Sequence, residues 1–503
     1  MVSLTKGENF KSEYSAKIVK IPSITHIEGT DKLGVVYVNG FTIVVDDTMT
    51  KEGDVMLYAC NETCLNKQFL GVNNQFRNKD MNVSDDITGY FEDNGRVKNI
   101  KLKGTYSWGV LFGLDAVEKW TGDTFGDVES VVGEEFDTIN GNLFCEAYVP
   151  KTDVRGMNNR RGTRKSQNKV DKFSRVEPGQ FNFHYDTTPL GHTQGIFDLD
   201  TDITISVKVH GTSAIYANIL TREPIKMNFL KSTLVRAYNS LYDNIRERFD
   251  FGESVFGLRR IPTYNSVYGN IYSSRKIIKN QYVYDEDKVK VGDGYYGEDV
   301  WESTNNLIKD FIPKGYTVYG EIVGYTGGGK CIQKSYDYGC SFTDPNKPIN
   351  KFMPYRITVT DEQGNVTEKN MSEVVEWTSW LISQLPSDKQ NLVEKIPVVY
   401  TGTVGDLLGA KKEDFDCSED SRRFSVSDKF LMSLKKMFGM EGNEPLCSNK
   451  VPREGVVIRI TDDIHSRAFK LKAEKFLAQE SKNIGNGEVD IETAETYCDT
   501  QDA

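Results

Sequence analysis

The stretch Ser206-Val207-Lys208-Val209-His210-Gly211-Thr212-Ser213 places a lysine two residues before a His-Gly turn, at the end of an apolar, β-branched run. That run, 203–207, is typical of a buried strand. A lysine at the end of such a strand is costly to desolvate, and burial favours the neutral amine, which is a nucleophile. A solvated lysine beside a surface turn gives the same short pattern. The interpretation of Lys208 therefore depends on the motifs that lie downstream of it in the chain.

The length and composition indicate a globular chain with several domains. Its 503 residues are 38% hydrophobic and 27% charged, enough for two or three domains with a large core. The apolar stretches are shorter than the roughly 20 residues of a membrane span, and residues 1–11 lack the apolar core of a signal peptide. The net charge of −11 argues against a protein that coats nucleic acid. It does not argue against an enzyme that grips nucleic acid locally.

The eight cysteines are scattered along the chain. Neither the Cys60/Cys64 pair nor the Cys331/Cys340 pair is accompanied by the further ligands of a zinc site. We therefore expect reduced thiols in a cytoplasmic protein. The acidic composition, with segments rich in tyrosine and asparagine, fits a phage-encoded protein that would act in the host cytoplasm.

The first part of the chain, residues 1–140, is rich in short β patterns. Residues 33–46 form a β-rich run interrupted by Asn39-Gly40, a dipeptide typical of hairpin turns. Several short strands in such a segment are typical of a small barrel or sandwich. Residues 141–178 then contain the Lys- and Arg-rich stretch 151–172. This stretch is either a solvated linker or a segment that grips phosphates without reading sequence.

The second part, residues 179–476, alternates strand and helix patterns. Its clearest helix is 372–385, which has a single apolar stripe and is ended by Pro386. The last part, residues 477–503, is acidic and polar, and we expect it to be flexible.

Several motifs come after Lys208 in a fixed order. Arg275 and Lys276 come directly after a serine pair and suit contact with a phosphate or a ribose. Glu321 follows a glycine within a predicted strand, where the glycine permits the close approach of a ligand. Tyr355 lies in a strand that begins with aromatic residues. Each motif alone is equally typical of an ordinary strand end.

The same pattern of a carboxylate beside a glycine and a strand returns near the end of the chain, at Glu454. Lys470 and Lys472 come shortly after it. Because alternate residues of a strand face the same side, these two lysines project together. The order of the motifs is far more specific than any one of them.

This order resembles that of the covalent nucleotidyltransferases, which comprise DNA ligases, RNA ligases and RNA-capping enzymes. Lys208 matches the nucleophile of their motif I. The other matches are Glu321 in motif III, Tyr355 in the neighbouring aromatic strand, Glu454 in motif IV, and Lys470 with Lys472 in motif V.

The resemblance implies a covalent mechanism. Lys208 would attack the α-phosphorus of ATP and form a lysyl-AMP. Lys470 and Lys472 would offset the phosphate charge and lower the pKa of Lys208 by like-charge repulsion. Glu454 is the implied holder of Mg²⁺ or Mn²⁺, because hard cations prefer carboxylate and phosphate oxygens.

The resemblance also implies a set of nucleotide-binding residues. An aromatic ring stacks on any nucleobase, so the ring of Tyr355 would contact the base. Glu321 would contact the ribose, and Arg275 the ribose or a phosphate. The remaining members of the implied cofactor-binding set are His210, Gly211, Lys276 and Glu454.

Two positions depart from the pattern of the superfamily. Most members have aspartate at the position of His210, but some RNA ligases have histidine, so this departure points to the RNA ligases. Val207 stands where many relatives have a polar side chain that helps to recognise adenine. The choice of ATP is therefore less directly implied than the chemistry.

The rest of the chain narrows the resemblance. Residues 473–503 are too few for the OB-type domain that comes after motif V in DNA ligases and capping enzymes. Five segments, 21–28, 53–58, 96–104, 107–111 and 126–133, resemble the N-terminal OB module of the Deinococcus-type RNA ligases. This resemblance covers most of the chain, except the tail and two stretches that look like insertions, 222–265 and 326–350.

The predicted fold class is α+β. An OB-like β-barrel module that binds nucleic acid would precede an adenylyltransferase domain of the DNA/RNA ligase type, with ATP-grasp-like antiparallel sheets plus helices. The implied activity is the ATP-dependent sealing of 3′-OH/5′-phosphate breaks in RNA or RNA-containing duplexes during RNA repair, through lysyl-AMP and an AMP-capped 5′ end. No membrane partner is expected.

Other functions remain open at this point. Within the superfamily, the chain could be a ligase for tRNA halves or single-stranded RNA ends, or a guanylyltransferase of the mRNA-capping type. Outside it, the alternatives are a non-catalytic nucleic-acid-binding module and an enzyme that adenylates proteins.

Overall fold

The computed structural model describes residues 1–38, 40–149, 173–193, 195–249, 259–283, 296, 298–415, 418–461 and 467–487. The basic stretch 151–172 and the end of the predicted tail, 488–503, lie outside these residues. The fold is mixed α/β, with several separate sheets. Within the described ranges, no helix combines the length and the apolarity needed to cross a membrane.

The N-terminal part is built from short antiparallel strands. The strands of this part are β1 (Leu4–Thr5), β2 (Ala16–Lys20), β3 (Thr25–His26), β4 (Leu33–Val38), β5 (Phe41–Asp46), β6 (Val55–Cys60), β7 (Thr63–Leu65), β8 (Ile100–Leu102), β9 (Thr105–Ser107), β10 (Gly109–Gly113), β11 (Glu135–Phe136), β12 (Thr138–Ile139), β13 (Asn142–Leu143) and β14 (Cys145–Ala147), and its helices are α1 (Lys67–Val72) and α2 (Leu114–Thr121). The hairpin predicted over 33–46 is present as β4 and β5, joined at Gly40, and a four-stranded sheet of order β10-β6-β2-β11 lies beside it.

The core of this part is aromatic. The ring of Phe69 meets those of Phe112 and Phe144 edge to face, with centroids 5.1 and 5.0 Å away, an arrangement that aromatic pairs prefer. Strand β14 pairs with β7, so the strand pairing of the N-terminal part continues past residue 140.

The C-terminal part contains two five-stranded sheets that meet at one turn. The strands of this part are β15 (Phe173–Ser174), β16 (Thr188–Pro189), β17 (Asp202–Lys208), β18 (Thr212–Pro224), β19 (Tyr264–Ser273), β20 (Tyr282–Val283), β21 (Tyr316–Gly324), β22 (Asn350–Thr360), β23 (Val366–Glu368), β24 (Val398–Thr403), β25 (Gly455–Ile460) and β26 (Ala468–Lys472). Strand β17 belongs to a sheet of order β16-β26-β25-β17-β24, and β18 to a sheet of order β19-β18-β21-β22-β23. The helices are α3 (Phe229–Phe249), α4 (Val300–Ile308), α5 (Met371–Gln384), α6 (Val404–Leu408), α7 (Glu419–Lys436) and α8 (Glu474–Gly485).

The hydrophobic core of this part packs against both sheets. Its largest fully buried side chains include Trp301, Phe197, Phe352 and Phe430. Helix α5 confirms the prediction for 372–385. It begins at a capping box, in which Asn370 and Glu373 accept hydrogen bonds from each other's backbone amides.

Helix α8 corrects one expectation about the end of the chain. The composition predicts a flexible segment from residue 477, but residues 477–485 continue the helix to Gly485. The reason is a buried contact with the N-terminal part. The guanidinium of Arg96 donates to the carbonyl of Ser481 (3.0 Å), and the Ser481 hydroxyl donates to Glu62 (2.6 Å).

Candidate active site

Three neighbouring strands bring the predicted lysines onto one surface. In register, Lys208 of β17 lies opposite Gly455 of β25, which lies opposite Lys472 of β26. Val457, opposite Ser206, pairs in turn with Lys470. Since residues directly opposite each other in a sheet point to the same face, all three lysines project from one side. The backbones of Lys208 and Lys472 are two strand spacings apart, about 10 Å.

Lys208 contacts Glu454, the carboxylate that the resemblance assigns to motif IV. Its Nζ donates a hydrogen bond to Glu454 Oε1 at 2.5 Å, across 246 residues of sequence. The Glu454 side chain is only 3% exposed, whereas that of Lys208 is 23% exposed. The amine is therefore accessible to a ligand, while its carboxylate partner is buried.

Glu454 stays ionised despite its burial. Burial alone would raise the pKa of this carboxyl, but the positive charges of Lys208 and Lys472, together with the hydrogen bond from Lys208, hold its pKa below the ordinary value. Its second oxygen, Oε2, is buried, has no hydrogen-bond partner among the described residues and lies 3.9 Å from His210 Nδ1. The site thus presents a buried anionic oxygen beside the amine.

The other two lysines are each paired with a carboxylate. Lys472 Nζ donates to both oxygens of Glu480 on α8 at 2.9 and 3.0 Å. Burial lowers the pKa of Lys472, but the negative charges of Glu480 and Glu454 raise it by more. The net result is a pKa well above the usual range. Lys470 is ion-paired with Glu13 of the N-terminal part. Both lysines are therefore held by carboxylates on the sheet face that also carries Lys208.

The turn after Lys208 links the two sheets. His210 and Gly211 lie between the end of β17 and the start of β18. A side chain at Gly211 would collide with the carbonyl of Ile322, with an added Cβ only 2.5 Å from that oxygen. The close approach of β21 therefore explains why glycine stands in this turn.

The predicted ribose and phosphate contacts lie on the second sheet. Glu321 is in β21, opposite Ser213 and beside the turn, and it is buried. Arg275 comes after β19, and its guanidinium donates to the exposed Asp186 at 2.7 Å. Lys276 is half-buried in the same loop.

Tyr355 is placed by an irregularity in its strand. Tyr319 pairs with Arg356 and Gly320 pairs with Pro354, which leaves Tyr355 as the extra residue of a β-bulge. Bulges re-aim side chains and are common beside active sites. The Tyr355 hydroxyl is hydrogen-bonded to Nδ1 of His184 at 3.0 Å.

His184 is a residue of this site that the sequence motifs do not reveal. Burial lowers its pKa well below the usual value, and the positive charges of Arg275, Arg356, Lys208 and Lys470 lower it further. Its hydrogen bond to Tyr355 places His184 beside the second sheet. The only sequence signal is the aromatic run 181–185, Phe-Asn-Phe-His-Tyr.

A divalent cation would fit this site only in company with a ligand. Among the described residues, no cluster of three or more His, Cys, Asp and Glu side chains is arranged to hold a metal ion. Glu454, however, offers a buried anionic oxygen to which no residue of the described ranges donates a hydrogen bond. Mg²⁺ is commonly held by one or two carboxylates together with phosphate oxygens and water. The chemistry of Glu454 suits such an ion when a nucleotide supplies the phosphates.

The arrangement can perform nucleophilic attack on a phosphate. It combines an accessible amine, a buried carboxylate beside that amine, and two fixed cations on the same sheet face. The six free thiols of the described chain, which include Cys331 and Cys340, take no part in it.

Comparisons with known proteins give structural similarity alone. No protein-family model and no curated protein matches the chain. Among solved structures, the chain is similar to an RNA ligase from Naegleria gruberi with pyrophosphate, at a TM-score of 0.46 and 13% identity over 94% of this chain and 100% of that one. It is also similar to mutants of that ligase with AMP and Mn (TM-score 0.46, 14% identity) and with ATP and Mn (0.45, 13%), each over 92% of this chain and 98% of the other.

Proposed function

We propose that the chain is an ATP-dependent RNA ligase that seals breaks between a 3′-OH and a 5′-phosphate. The observation that supports this most directly is the contact of Lys208 with Glu454, on the sheet face that also carries Lys470 and Lys472. ATP and Mg²⁺ or Mn²⁺ are the proposed cofactors. The nucleotide would lie between the two sheets, where His184 and Tyr355 meet the cations of the first sheet.

The proposed reaction has three steps. The Lys208 amine, after losing a proton, attacks the α-phosphorus of ATP, so that a phosphoramidate forms and pyrophosphate leaves. The 5′-phosphate of one strand then attacks the same phosphorus and takes the AMP, which releases the amine. The 3′-OH of the other strand finally attacks the 5′-phosphorus, and AMP leaves.

The residues of the site would have distinct roles in these steps. Lys470 and Lys472 would stabilise the negative charge that builds on the phosphates, since fixed cations stabilise such transition states. Glu454 would hold Lys208 in place before attack and bind the divalent cation. Glu321 and Arg275 would contact the sugar or a phosphate, and Tyr355 the base.

The N-terminal part, which we propose to be an OB-like module, would hold the RNA. The hairpin of β8 and β9 presents exposed Lys101 and Lys103, and Lys101 Nζ lies 4.9 Å from the centre of the Tyr106 ring. Lysines beside an aromatic ring suit contact with a nucleic-acid backbone and a base. The basic stretch 151–172 would add further phosphate contacts.

Labelling with α-labelled ATP and a divalent cation tests the first step. We expect wild-type protein to acquire covalent label and Lys208→Ala to acquire none. A matched control is Lys369→Ala, because Lys369 is also ion-paired with a carboxylate, Glu373 at 2.8 Å, but lies at the start of α5. Absence of label on wild type, or equal labelling of Lys208→Ala, would overturn the proposal.

A substrate panel tests the finer assignment. Nicked duplexes with an RNA 3′-OH strand, tRNA halves and free single strands should be sealed in that order of preference. Labelled GTP in place of ATP should give no adduct, which separates the ligase from a capping-type guanylyltransferase. Transfer of AMP to protein and not to RNA would instead support a protein-modifying enzyme.

The role of the N-terminal part is tested with Lys101→Ala/Lys103→Ala in the full chain. We expect normal labelling of Lys208 and weaker sealing of nicks. Deleting the whole N-terminal part would be a poorer test, because Glu13 and Arg96 contact the C-terminal part directly. Sealing equal to wild type would remove the hairpin from the RNA-binding surface.

A further inference from the structure

The segment 326–350, which looks like an insertion, packs against the turn after Lys208. Gln333 Nε2 donates to the carbonyl of Gly211 at 2.8 Å, and the Tyr338 hydroxyl accepts from the backbone amide of His210 at 2.7 Å. Both side chains are buried. The two residues of the turn are thus held by hydrogen bonds from outside β17 and β18.

The same segment fixes the imidazole of His210. The ring meets those of Tyr336 and Phe476 edge to face, with each centroid 5.0 Å away and interplanar angles of 84° and 86°. The centroids of Tyr336 and Phe476 are themselves 6.4 Å apart, so the three rings form one cluster. Two edge-to-face contacts restrict the orientation of the imidazole.

The other side of the segment is attached to the chain that leads to Glu454. The Tyr336 hydroxyl donates to the carbonyl of Pro452 at 2.8 Å. The carboxylate of Asp337 accepts from the backbone amides of Ser448 and Asn449, both at 2.9 Å. Residues 331–340 thus connect the turn after Lys208 to the stretch before Glu454.

The backbone of these residues is strained. Ser335 and Tyr338 have φ of +70° and +48°, in the left-handed region that bulky side chains rarely adopt. Such conformations persist where surrounding contacts over-determine them, and they cluster at functional sites. The contact of Tyr338 with the His210 amide supplies such a constraint.

We propose that residues 331–340 form a brace that sets the position of Lys208 relative to Glu454, with Tyr338 and Gln333 as its positioning residues. This deepens the proposed function and rests on it. Lys208 and Glu454 are 246 residues apart, and only tertiary contacts can fix the geometry between them. The brace provides hydrogen bonds to both chain segments at once. Attack on a phosphorus needs near-exact placement of the amine, so a loosened turn should slow that step.

The test compares Tyr338→Phe and Gln333→Met with wild type in the full chain. Each variant removes one hydrogen bond to the turn and keeps the shape of the side chain. Tyr400→Phe is the matched control, because its hydroxyl donates to the Thr403 carbonyl at the same 2.7 Å on strand β24, away from the turn. Single-turnover labelling by ATP gives the rate at saturation and the ATP concentration at half-saturation. Joining of a 5′-adenylated strand, which bypasses the attack on ATP, is measured in parallel.

We expect the saturated labelling rate of both brace variants to fall by roughly 10- to 100-fold, the cost of misplacing a reacting group. The half-saturating ATP concentration should change little, the joining of the 5′-adenylated strand should fall less, and Tyr400→Phe should match wild type. Labelling of both variants at the wild-type rate would overturn the brace, as would equal losses in labelling and joining, which indicate a general structural defect. Wild-type protein that acquires no label would instead overturn the proposed function itself.

Discussion

Glu13 in the turn Ser12–Tyr14 of the N-terminal part is ion-paired with Lys470, one of the two lysines of the site on β26. The pair is partly exposed, with the side chain of Lys470 20% and that of Glu13 35% accessible. In the proposed function Lys470 would bind a phosphate, and the carboxylate of Glu13 would compete with that phosphate for the lysine.

The first prediction is that Glu13→Gln strengthens ATP binding. Without the competing carboxylate, the half-saturating ATP concentration for labelling should fall by roughly two- to tenfold, a modest change because solvent and salt screen exposed pairs. Glu8→Gln, a change at an exposed glutamate of the same segment, is the control and should have no effect. The effect should vanish in a Lys470→Ala background, as a double-mutant cycle requires. Weaker binding in Glu13→Gln would show that the pair orders Lys470 for its task.

The second prediction concerns Glu454→Gln. Glutamine keeps the size of the side chain but removes the charge beside Lys208, so labelling by ATP should fall by about 100-fold or more. Glu444→Gln is a matched control, because Glu444 is also buried and is ion-paired, with Arg453 Nε at 3.6 Å. We expect Glu444→Gln to lower the melting temperature at most and to leave the rate of labelling by ATP unchanged. Labelling of Glu454→Gln at a rate near wild type would remove Glu454 from the chemistry.

Much of the candidate site could be predicted because its residues lie in or beside strands that carry local sequence signals. The run before Lys208 and the glycines before Glu321 and after Glu454 are local signals, and the structure places those residues together. The ends of α5 also have local signals, because the capping box at Asn370 and the proline at 386 lie next to them in the sequence.

The remaining site residues could not be predicted, because their roles depend on contacts between distant segments. His184 meets Tyr355 across 171 residues, and Glu13 meets Lys470 from the other part of the chain. In the sequence, residues 331–340 look like part of an insertion. No local pattern shows that Tyr338 contacts the backbone amide of His210. The helical state of 477–485 likewise results from a buried contact with Arg96.

The third prediction is that acid destabilises the protein through His184. Its folded-state pKa is depressed below the ordinary 6.5, first by burial and then by nearby cations such as Arg275 and Lys470. Below pH 6.5 the His184 imidazole is protonated in the unfolded chain but not in the folded protein. The free energy of unfolding therefore decreases as the pH falls below this value. The slope contributed by one such group is at most about 1.4 kcal/mol per pH unit.

Urea denaturation at pH 7.5 and 5.5 measures this loss. We expect His184→Asn to lose less stability between the two values than wild type does. His26→Asn is the control, because His26 is exposed and its pKa is raised by its hydrogen bond to Asp47, the opposite direction. An identical pH dependence in wild type and His184→Asn would contradict the prediction.

The last prediction is that the Arg96 side chain stabilises the packing of α8 against the N-terminal part. Its side chain is 2% exposed and is paired with Glu62 at 2.6 Å, while the same guanidinium holds the Ser481 carbonyl. Burial raises the pKa of Glu62, so removing its cation leaves an uncompensated buried carboxylate. Arg96→Met should therefore lower the free energy of unfolding by about 3–5 kcal/mol.

The matched control for Arg96→Met is Arg423→Met, because Arg423 on α7 forms an ion pair with Glu419 at 2.8 Å but its side chain is 45% exposed. An exposed pair of this kind contributes only about 0.3–0.5 kcal/mol. The double variant Arg96→Met/Glu62→Met should recover part of the loss, because it removes the buried carboxylate together with its partner. Since α8 also carries Glu480, the counter-ion of Lys472, Arg96→Met should in addition make labelling by ATP more sensitive to salt. Equal stability of Arg96→Met and Arg423→Met in urea denaturation would show that α8 is held by its apolar contacts alone.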